Sequence, residues 1–253
     1  MKILFDAPER NRMPNLLIVG SAGNGKTHIL SRFEHLHPAS DRPDRYSSSV
    51  PVVAVRAPAV ADRGELFSRM LRRLAVPHKM KDSAAHKMQS VIEEMHKVGT
   101  RVLLIDEVHD LLNGSKLQQR QAIGSLKDFS NESRISIVAA GTAAARTALS
   151  VDDQLWTRFD ALELPRWDYG PDFKRLLASF EKLLPLPEPS FLANPAKSMK
   201  IYEFTGSTIG KIAKLIMEAA ITAVNEGKPA ITIEILTEAG EAVRARDIAA
   251  QVK

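Results

Sequence analysis

Short uninterrupted apolar runs alternate, over the first two thirds of the chain, with longer stretches of helical periodicity. The runs are Leu16-Leu17-Ile18-Val19, Val52–Val55, Val102-Leu103-Leu104-Ile105, Ile135–Ala139 and Ala161–Leu164. Runs this short, bounded by polar or glycine-rich residues, read as strands covered on both faces. Helical spacing predicts helices over Lys26–His37, with Ile29, Leu30 and Phe33 turned inward, and over Gly64–Ala75, Ala84–Val98 and Leu117–Phe129. Residues 38–50, rich in Pro, Ser, Asp and Arg, predict a loop, and 77–81 a basic connection. Strands alternating with helices imply a parallel sheet with helices on both sides. After Pro165 the strand runs stop. Helices are predicted over 168–184, Ala196–Phe204, Ile209–Asn225 and Ile233–Ala250, with Pro185–Pro189 as a stiff linker. An α/β domain over residues 1–166 and an all-helical one over 167–253 are expected.

Candidate chemistry sits at the carboxyl ends of the runs. Gly20-Ser21-Ala22-Gly23-Asn24-Gly25-Lys26-Thr27 fits the phosphate-loop pattern G-x-x-x-x-G-K-[ST] at every fixed position. Its glycines let the backbone wrap an anion with several N–H groups, and the helix that follows adds the positive end of its dipole. Lys26 is expected to reach the β- and γ-phosphates of ATP, and the Thr27 hydroxyl to hold Mg²⁺, with His28 beside them on the helix. The run at 102–105 ends in Asp106-Glu107, where an open α/β sheet presents its functional groups. Read alone, that pair is an acidic turn. With the phosphate loop, Asp106 becomes a holder of Mg²⁺ and Glu107 the group that orients or deprotonates the attacking water. Thr142, after Gly141, reads either as a γ-phosphate sensor or as a helix N-cap. Arg158 reads either as an arginine finger for a neighbouring subunit or as half of a surface ion pair.

Composition narrows the class without choosing it. The 253 residues are 44% apolar and 26% charged, with net charge +5 and no cysteine. Disulfides and thiolate metal sites are thereby excluded, and no apolar run nears the roughly 20 residues a membrane helix needs. The start of the chain has too short an apolar stretch for a secretory signal, so a cytoplasmic location is expected. The mild basic excess is compatible with binding a phosphate backbone. The seven histidines have no metal-ligand spacing and read as surface or loop residues. Phe5, Phe33, Phe67 and Phe129 read as core, and Arg69–Arg73 as a solvated helix face.

Several of these residues together carry a resemblance. Arg12-Met13-Pro14-Asn15-Leu16-Leu17 ahead of the loop, Asp106-Glu107, Gly141-Thr142 and Arg158-Phe159 resemble the TniB family and its relative TnsC. These are AAA+ ATPases of transposition modules, distantly similar to the phage Mu B protein. Thr205-Gly206-Ser207-Thr208-Ile209-Gly210-Lys211-Ile212, with Leu215–Ala220 after it, is similar to that family's C-terminal lid. The resemblance implies an AAA+ core with a small helical lid that binds ATP and oligomerises on duplex DNA. It also implies presentation of that DNA to a transposase of the TniA or TnsB kind, with a TniQ-like adaptor as a further partner. Hydrolysis then disassembles the oligomer.

Family members usually carry a longer segment ahead of the loop, which bears on partner contacts and oligomer stability. Many AAA+ proteins place a lid arginine near the γ-phosphate. Lys211 is the nearest match here, and lysine lacks the planar fork, so slow or partner-dependent hydrolysis is expected. In AAA+ assemblies the loops after the second strand usually face the central channel, which makes Arg63, Lys79 and Lys81 the expected contacts to DNA phosphates. Helicase loaders of the IstB or DnaC kind and protein-remodelling ATPases share the core motifs and remain alternatives. An ABC-type signature is absent from the sequence.

Overall fold

A computed structural model describes residues 1–41 and 48–251 of the chain. They divide into two compact units, one of Met1–Ala22 with Lys26–Leu164, the other of Gly23–Gly25 with the residues from Pro165 onward. In the first unit, α1 (Lys2–Phe5), β1 (Asn15–Val19) and α2 (Lys26–Leu36) are followed by two short strands, β2 (Ser40–Asp41) and β3 (Ser48–Ser49), which pair antiparallel. Residues 42–47 of the loop expected over 38–50 lie outside the described residues. Next come β4 (Val52–Arg56), α3 (Arg63–Arg73), α4 (Ala84–Lys97), β5 (Val102–Asp106), a 3-10 turn over Val108–Leu112, and α5 (Lys116–Ser133). The unit closes with β6 (Ser136–Gly141), α6 (Ala144–Leu149), α7 (Asp153–Trp156) and β7 (Phe159–Glu163).

The five longer strands form one parallel sheet in the order β4-β5-β6-β1-β7. Their side chains alternate between two cores. Leu17, Val19, Val53, Leu103, Ile105, Ile137 and Ala139 pack with α3, α4 and α5, while Ile18, Val52, Val102, Leu104, Val138 and Ala140 meet Leu30 and Phe33 of α2. Burial of both faces explains why the strands read as continuous apolar runs. The edge strand β7 is the exception, buried only at Phe159. It starts earlier than the apolar run at 161–164 suggested.

Three local expectations need correction. Ile29 faces outward, because α2 turns inward through Leu30 and Phe33. The run Arg69–Arg73 is only partly solvated. Met70 and Leu71 are fully buried, and Arg69 donates to Glu65 and to the Arg56 and Ala57 carbonyls. The Arg72 and Arg73 guanidiniums pair with Glu65 and Glu34. Pro185–Pro189 is not a spacer. Leu184 and Leu186 pack on the second unit's core, and the Glu188 amide donates to the Pro229 carbonyl. Phe5, Phe33, Phe67 and Phe129 do pack in the cores.

The second unit is helical: α8 (Pro171–Glu181), α9 (Pro195–Thr205), α10 (Ile209–Asn225) and α11 (Ile233–Gln251). They enclose Phe173, Leu177, Ile201, Ile212, Leu215 and Leu236. No helix among the described residues is long and apolar enough to cross a membrane.

The Arg-Met-Pro-Asn approach to β1 has a structural reason. Met13 is buried, and its sulfur accepts from the Arg10 amide. Asn15, 1% exposed, accepts the Ile137 amide on Oδ1 at 2.8 Å, and its own amide donates to the Arg158 carbonyl at 3.0 Å. One residue thus ties the start of β1 to both neighbouring strands. Replacing Asn15 by Leu orphans the Ile137 amide, while also removing the buried Asn15 Nδ2 that itself has no partner. The expected net loss is about 1–2 kcal/mol, read as a fall of a few degrees in Tm together with faster hydrogen exchange at the Ile137 amide.

Candidate functional site

Parallel strands bring their carboxyl ends to one edge of the sheet, and the candidate site is built there from β1, β5 and β6. The loop leaving β1 starts with the Gly20 amide donating to the Gly141 carbonyl at 3.1 Å, which ties it to the end of β6. Gly23 and Gly25 have φ of 72° and 86°, conformations that glycine adopts without a Cβ penalty. Lys26 opens α2 and is buried, and its Nζ donates to the carbonyls of Gly20 at 2.9 Å and Ser21 at 3.0 Å. The ammonium therefore lies inside the curl of the loop, where it can meet an anion wrapped by the same backbone.

Thr27 Oγ1 donates to Asp106 Oδ2 at 2.6 Å, joining residues 79 apart in sequence. A hydroxyl and a carboxylate converging in this way are two hard oxygen ligands, with the remaining positions left to water and phosphate, as Mg²⁺ prefers. Among the described residues no group of three or more His, Asp or Glu forms a separate metal cage. The donor set fits Mg²⁺ with a nucleotide.

Beyond Asp106 the chain turns sharply. Glu107 has φ 53° and ψ 41°, a left-handed conformation costing a residue with a Cβ about 1–2 kcal/mol. It is held on both sides: its amide donates to Asp106 Oδ1 at 2.9 Å, and its carbonyl accepts from the Asp110 amide at 2.9 Å. The carboxylate is folded toward the 3-10 turn, where Oε2 is buried without a well-formed hydrogen bond and lies 3.2 Å from His109 Nδ1. Thr142 follows β6, and its amide donates to the same His109 Nδ1 at 3.4 Å. It is not a cap, since the residue preceding α6 is Ala143 and no side chain caps that helix.

His109 is the site residue that sequence reasoning missed, having been grouped with surface and loop histidines. Its one local signal is the position three residues after Asp106. Gly141 makes room for it, since a Cβ there would lie 3.0 Å from His109 Nδ1 and 2.8 Å from the Ala145 methyl.

Arg158 is not brought to this edge. It immediately precedes β7, whose first residue pairs with Asn15 at the opposite end of β1. The five residues of β1, about 16 Å of strand, separate it from the loop. Its Nη1 is buried without a partner, and no surface ion pair holds it among the described residues. The nearby Asp152 carboxylate caps α7 through the Leu155 amide and accepts from Lys127 Nζ at 2.9 Å.

His28 is exposed on the first turn of α2, beside an apolar recess lined by Leu16, Ile29 and Leu162. Arg63, Lys79 and Lys81 are exposed, the first opening α3 and the others in the turn before α4. That turn is ordered by Asp82, which accepts the Lys79 amide, and by Lys87, whose Nζ donates to the Met80 carbonyl. Within the second unit, the Gly210 amide in the first turn of α10 donates to the Gly23 carbonyl at 2.9 Å, with exposed Lys211 next to it. A Cβ on Gly210 would lie 2.9 Å from that carbonyl oxygen.

Asp152 has a pH signature. Partial burial acts to raise its carboxyl, but the hydrogen bonds from Lys127 and from the Leu155 amide, with the Lys127 charge, outweigh burial and hold it below the usual range. A carboxyl depressed on folding stabilises the native state above its unfolded value of about 4 and loses that effect as pH falls through the folded value. Asp152→Asn keeps a side chain able to cap α7 but loses the ion pair. Its Tm is expected to fall about 2 °C below wild type at pH 7, with the gap closing below about pH 4 in thermal melts across pH.

Comparison with known proteins agrees with this geometry. No curated protein sequence matches the chain. Among solved structures, Cdc6p from Pyrobaculum aerophilum superposes with a TM-score of 0.69 at 16% identity, over 96% of this chain and 63% of that one. The Aeropyrum pernix ORC2 protein in its ADPNP–ADP complexes gives 0.65 at 13%, over 92% and 62%. The Aeropyrum pernix ORC1 protein in complex with DNA gives 0.56 at 13%, over 92% and 60%. The chain thus spans about three fifths of these neighbours, and at such identities the likeness is one of fold, that of AAA+ ATPases. A family model described as bacterial TniB protein matches residues 1–169, from the Arg-Met-Pro-Asn approach through the phosphate loop, Asp106-Glu107 and Arg158. With two thirds of its length matched, this chain belongs to the TniB family.

Proposed function

We propose that the chain is a cytoplasmic, ATP-dependent regulator of DNA transposition that assembles on target duplex DNA and recruits or activates a transposase, with ATP hydrolysis driving disassembly. The observation that carries the ATPase part is the convergence of Thr27 Oγ1 and Asp106 Oδ2 at 2.6 Å beside Lys26 and Glu107, in a chain of the TniB family. Loop amides and Lys26 bind and orient the triphosphate. Thr27 and Asp106 would hold Mg²⁺, which would supply charge neutralisation for the triphosphate. Glu107 accepts a proton from the attacking water. Thr142 responds to the γ-phosphate, and Lys211, with His28, borders the nucleotide. Arg158, at the far end of the strands from its own loop, serves the nucleotide of a neighbouring copy.

The DNA part is supported by the family and by the exposed cations Arg63, Lys79 and Lys81, which suit contacts to backbone phosphates without sequence readout. A solved neighbour bound to DNA is consistent with it. A TniA- or TnsB-like transposase and a TniQ-like adaptor are the further partners.

Glu107→Gln is expected to leave ATP affinity near wild type while turnover falls about 10²–10⁴-fold, measured by equilibrium nucleotide binding and steady-state phosphate release. Electron microscopy with duplex DNA should give rings or filaments with a non-hydrolysable ATP analogue and none with ADP. The Arg63→Glu, Lys79→Glu, Lys81→Glu triple variant should lose them, and its salt dependence of DNA affinity should flatten by about 3 in log–log slope. Unchanged DNA affinity in that variant would sink the assignment of the three cations. A preference for single strands over duplex would favour the helicase-loader alternative, and indifference to all DNA the protein-remodelling one.

A further inference from the structure

His109 Nδ1 stands between two groups that it cannot serve at once. Glu107 Oε2 is 3.2 Å away and, as a carboxylate, needs a donor. The Thr142 amide donates to the same Nδ1 at 3.4 Å and requires it as an acceptor. A neutral imidazole carries its hydrogen on one nitrogen only. With the proton on Nδ1 the ring donates to Glu107 and leaves the Thr142 amide unpaired. With the proton on Nε2 the ring accepts from Thr142 and presents a lone pair to the carboxylate.

The surroundings make the choice consequential. Glu107 Oε2 is buried with no hydrogen-bond partner, and the residue's backbone is held in the left-handed region, so the ring is the nearest group able to donate to that oxygen. Gly141 lacks the Cβ that would crowd the ring, and its carbonyl takes the Gly20 amide at the start of the phosphate loop. A shift of that loop therefore moves the strand end that carries the Thr142 amide. His109 is 24% exposed, so the proton can leave Nδ1 to water while another arrives at Nε2, with no change in ring charge and no internal relay.

We propose that His109 is a positioning residue for Glu107, a two-way selector. In one tautomer it parks the carboxylate away from the attacking water. In the other, having taken the Thr142 amide instead, it releases Glu107 for proton abstraction. The proposal rests on the ATPase reading above. It adds that basal turnover is restrained by a contact inside the subunit and that the end of β6 relieves the restraint.

Two measurements test it. Imidazole ¹⁵N shifts of His109 should report the Nδ1-protonated tautomer in the protein without nucleotide and the Nε2-protonated one with a non-hydrolysable ATP analogue. His109→Ala should raise basal turnover several-fold with KM unchanged and should shrink any stimulation by duplex DNA. His109→Asn, whose amide can turn either its N–H to Glu107 or its carbonyl to Thr142, should return both quantities toward wild type. The same tautomer in both states, or a basal rate in His109→Ala that is unchanged or lower, would overturn the selector. A wild-type protein that binds nucleotide but never hydrolyses it would instead remove the ATPase reading, and the tautomer measurement would still decide whether the ring changes partners.

Discussion

A parallel sheet buried on both faces has little room for charge except at its strand ends, and the placement of chemistry in this protein follows from that restriction. Within β1, β5 and β6 the side chains between the ends are apolar and packed. Polar groups gather where the strands stop: Lys26 after β1, Asp106 and Glu107 at β5, Thr142 after β6. Each carries an unfavourable term that its neighbours offset. The Lys26 ammonium is desolvated but meets two carbonyls. Glu107 is conformationally strained but held by hydrogen bonds at both its amide and its carbonyl. The cost of about 1–2 kcal/mol at Glu107 aims a carboxylate that an unstrained turn would point elsewhere.

Much of this was legible in the sequence because it rests on local pattern. The apolar runs marked the strands through the need to cover both faces, and the phosphate loop has fixed spacing because its backbone must wrap an anion. Asp106-Glu107 was readable because strand ends are where such groups go. What escaped depends on contacts distant in sequence. His109 carries no ligand spacing, and its importance arises because Glu107, itself left-handed, brings its carboxylate back beside it while a glycine 32 positions later leaves space. Proline content suggested a stiff linker at 185–189, yet Leu186 among the prolines and Leu184 just before them find a core. The helix phase that turns Ile29 outward was a matter of one step of about 100°.

The two ends of the sheet are not equivalent. At the nucleotide end, glycines and backbone amides dominate, as suits a surface that must approach a ligand closely. At the other end, Asn15 performs with its side chain what a further ladder residue would do with its backbone. The Arg-Met-Pro-Asn stretch belongs to this second end, where a chain entering a sheet beside an unpaired amide needs a carbonyl.

β1 pairs with β6 along Leu16–Val19, and the ladder is fastened at its extremities by Gly20 to Gly141 above and by Ile137 to Asn15 below, while the Asn15 amide also grips the carbonyl of Arg158. A strand fastened at both extremities behaves as a strut: it resists stretching, and an axial push on one end arrives at the other with little lost on the way. The root of Arg158 is thus mechanically continuous with the floor of the phosphate loop. Any load that a neighbouring copy put on that arginine would reach the pocket 16 Å or so away through five residues of backbone, without a hinge in between.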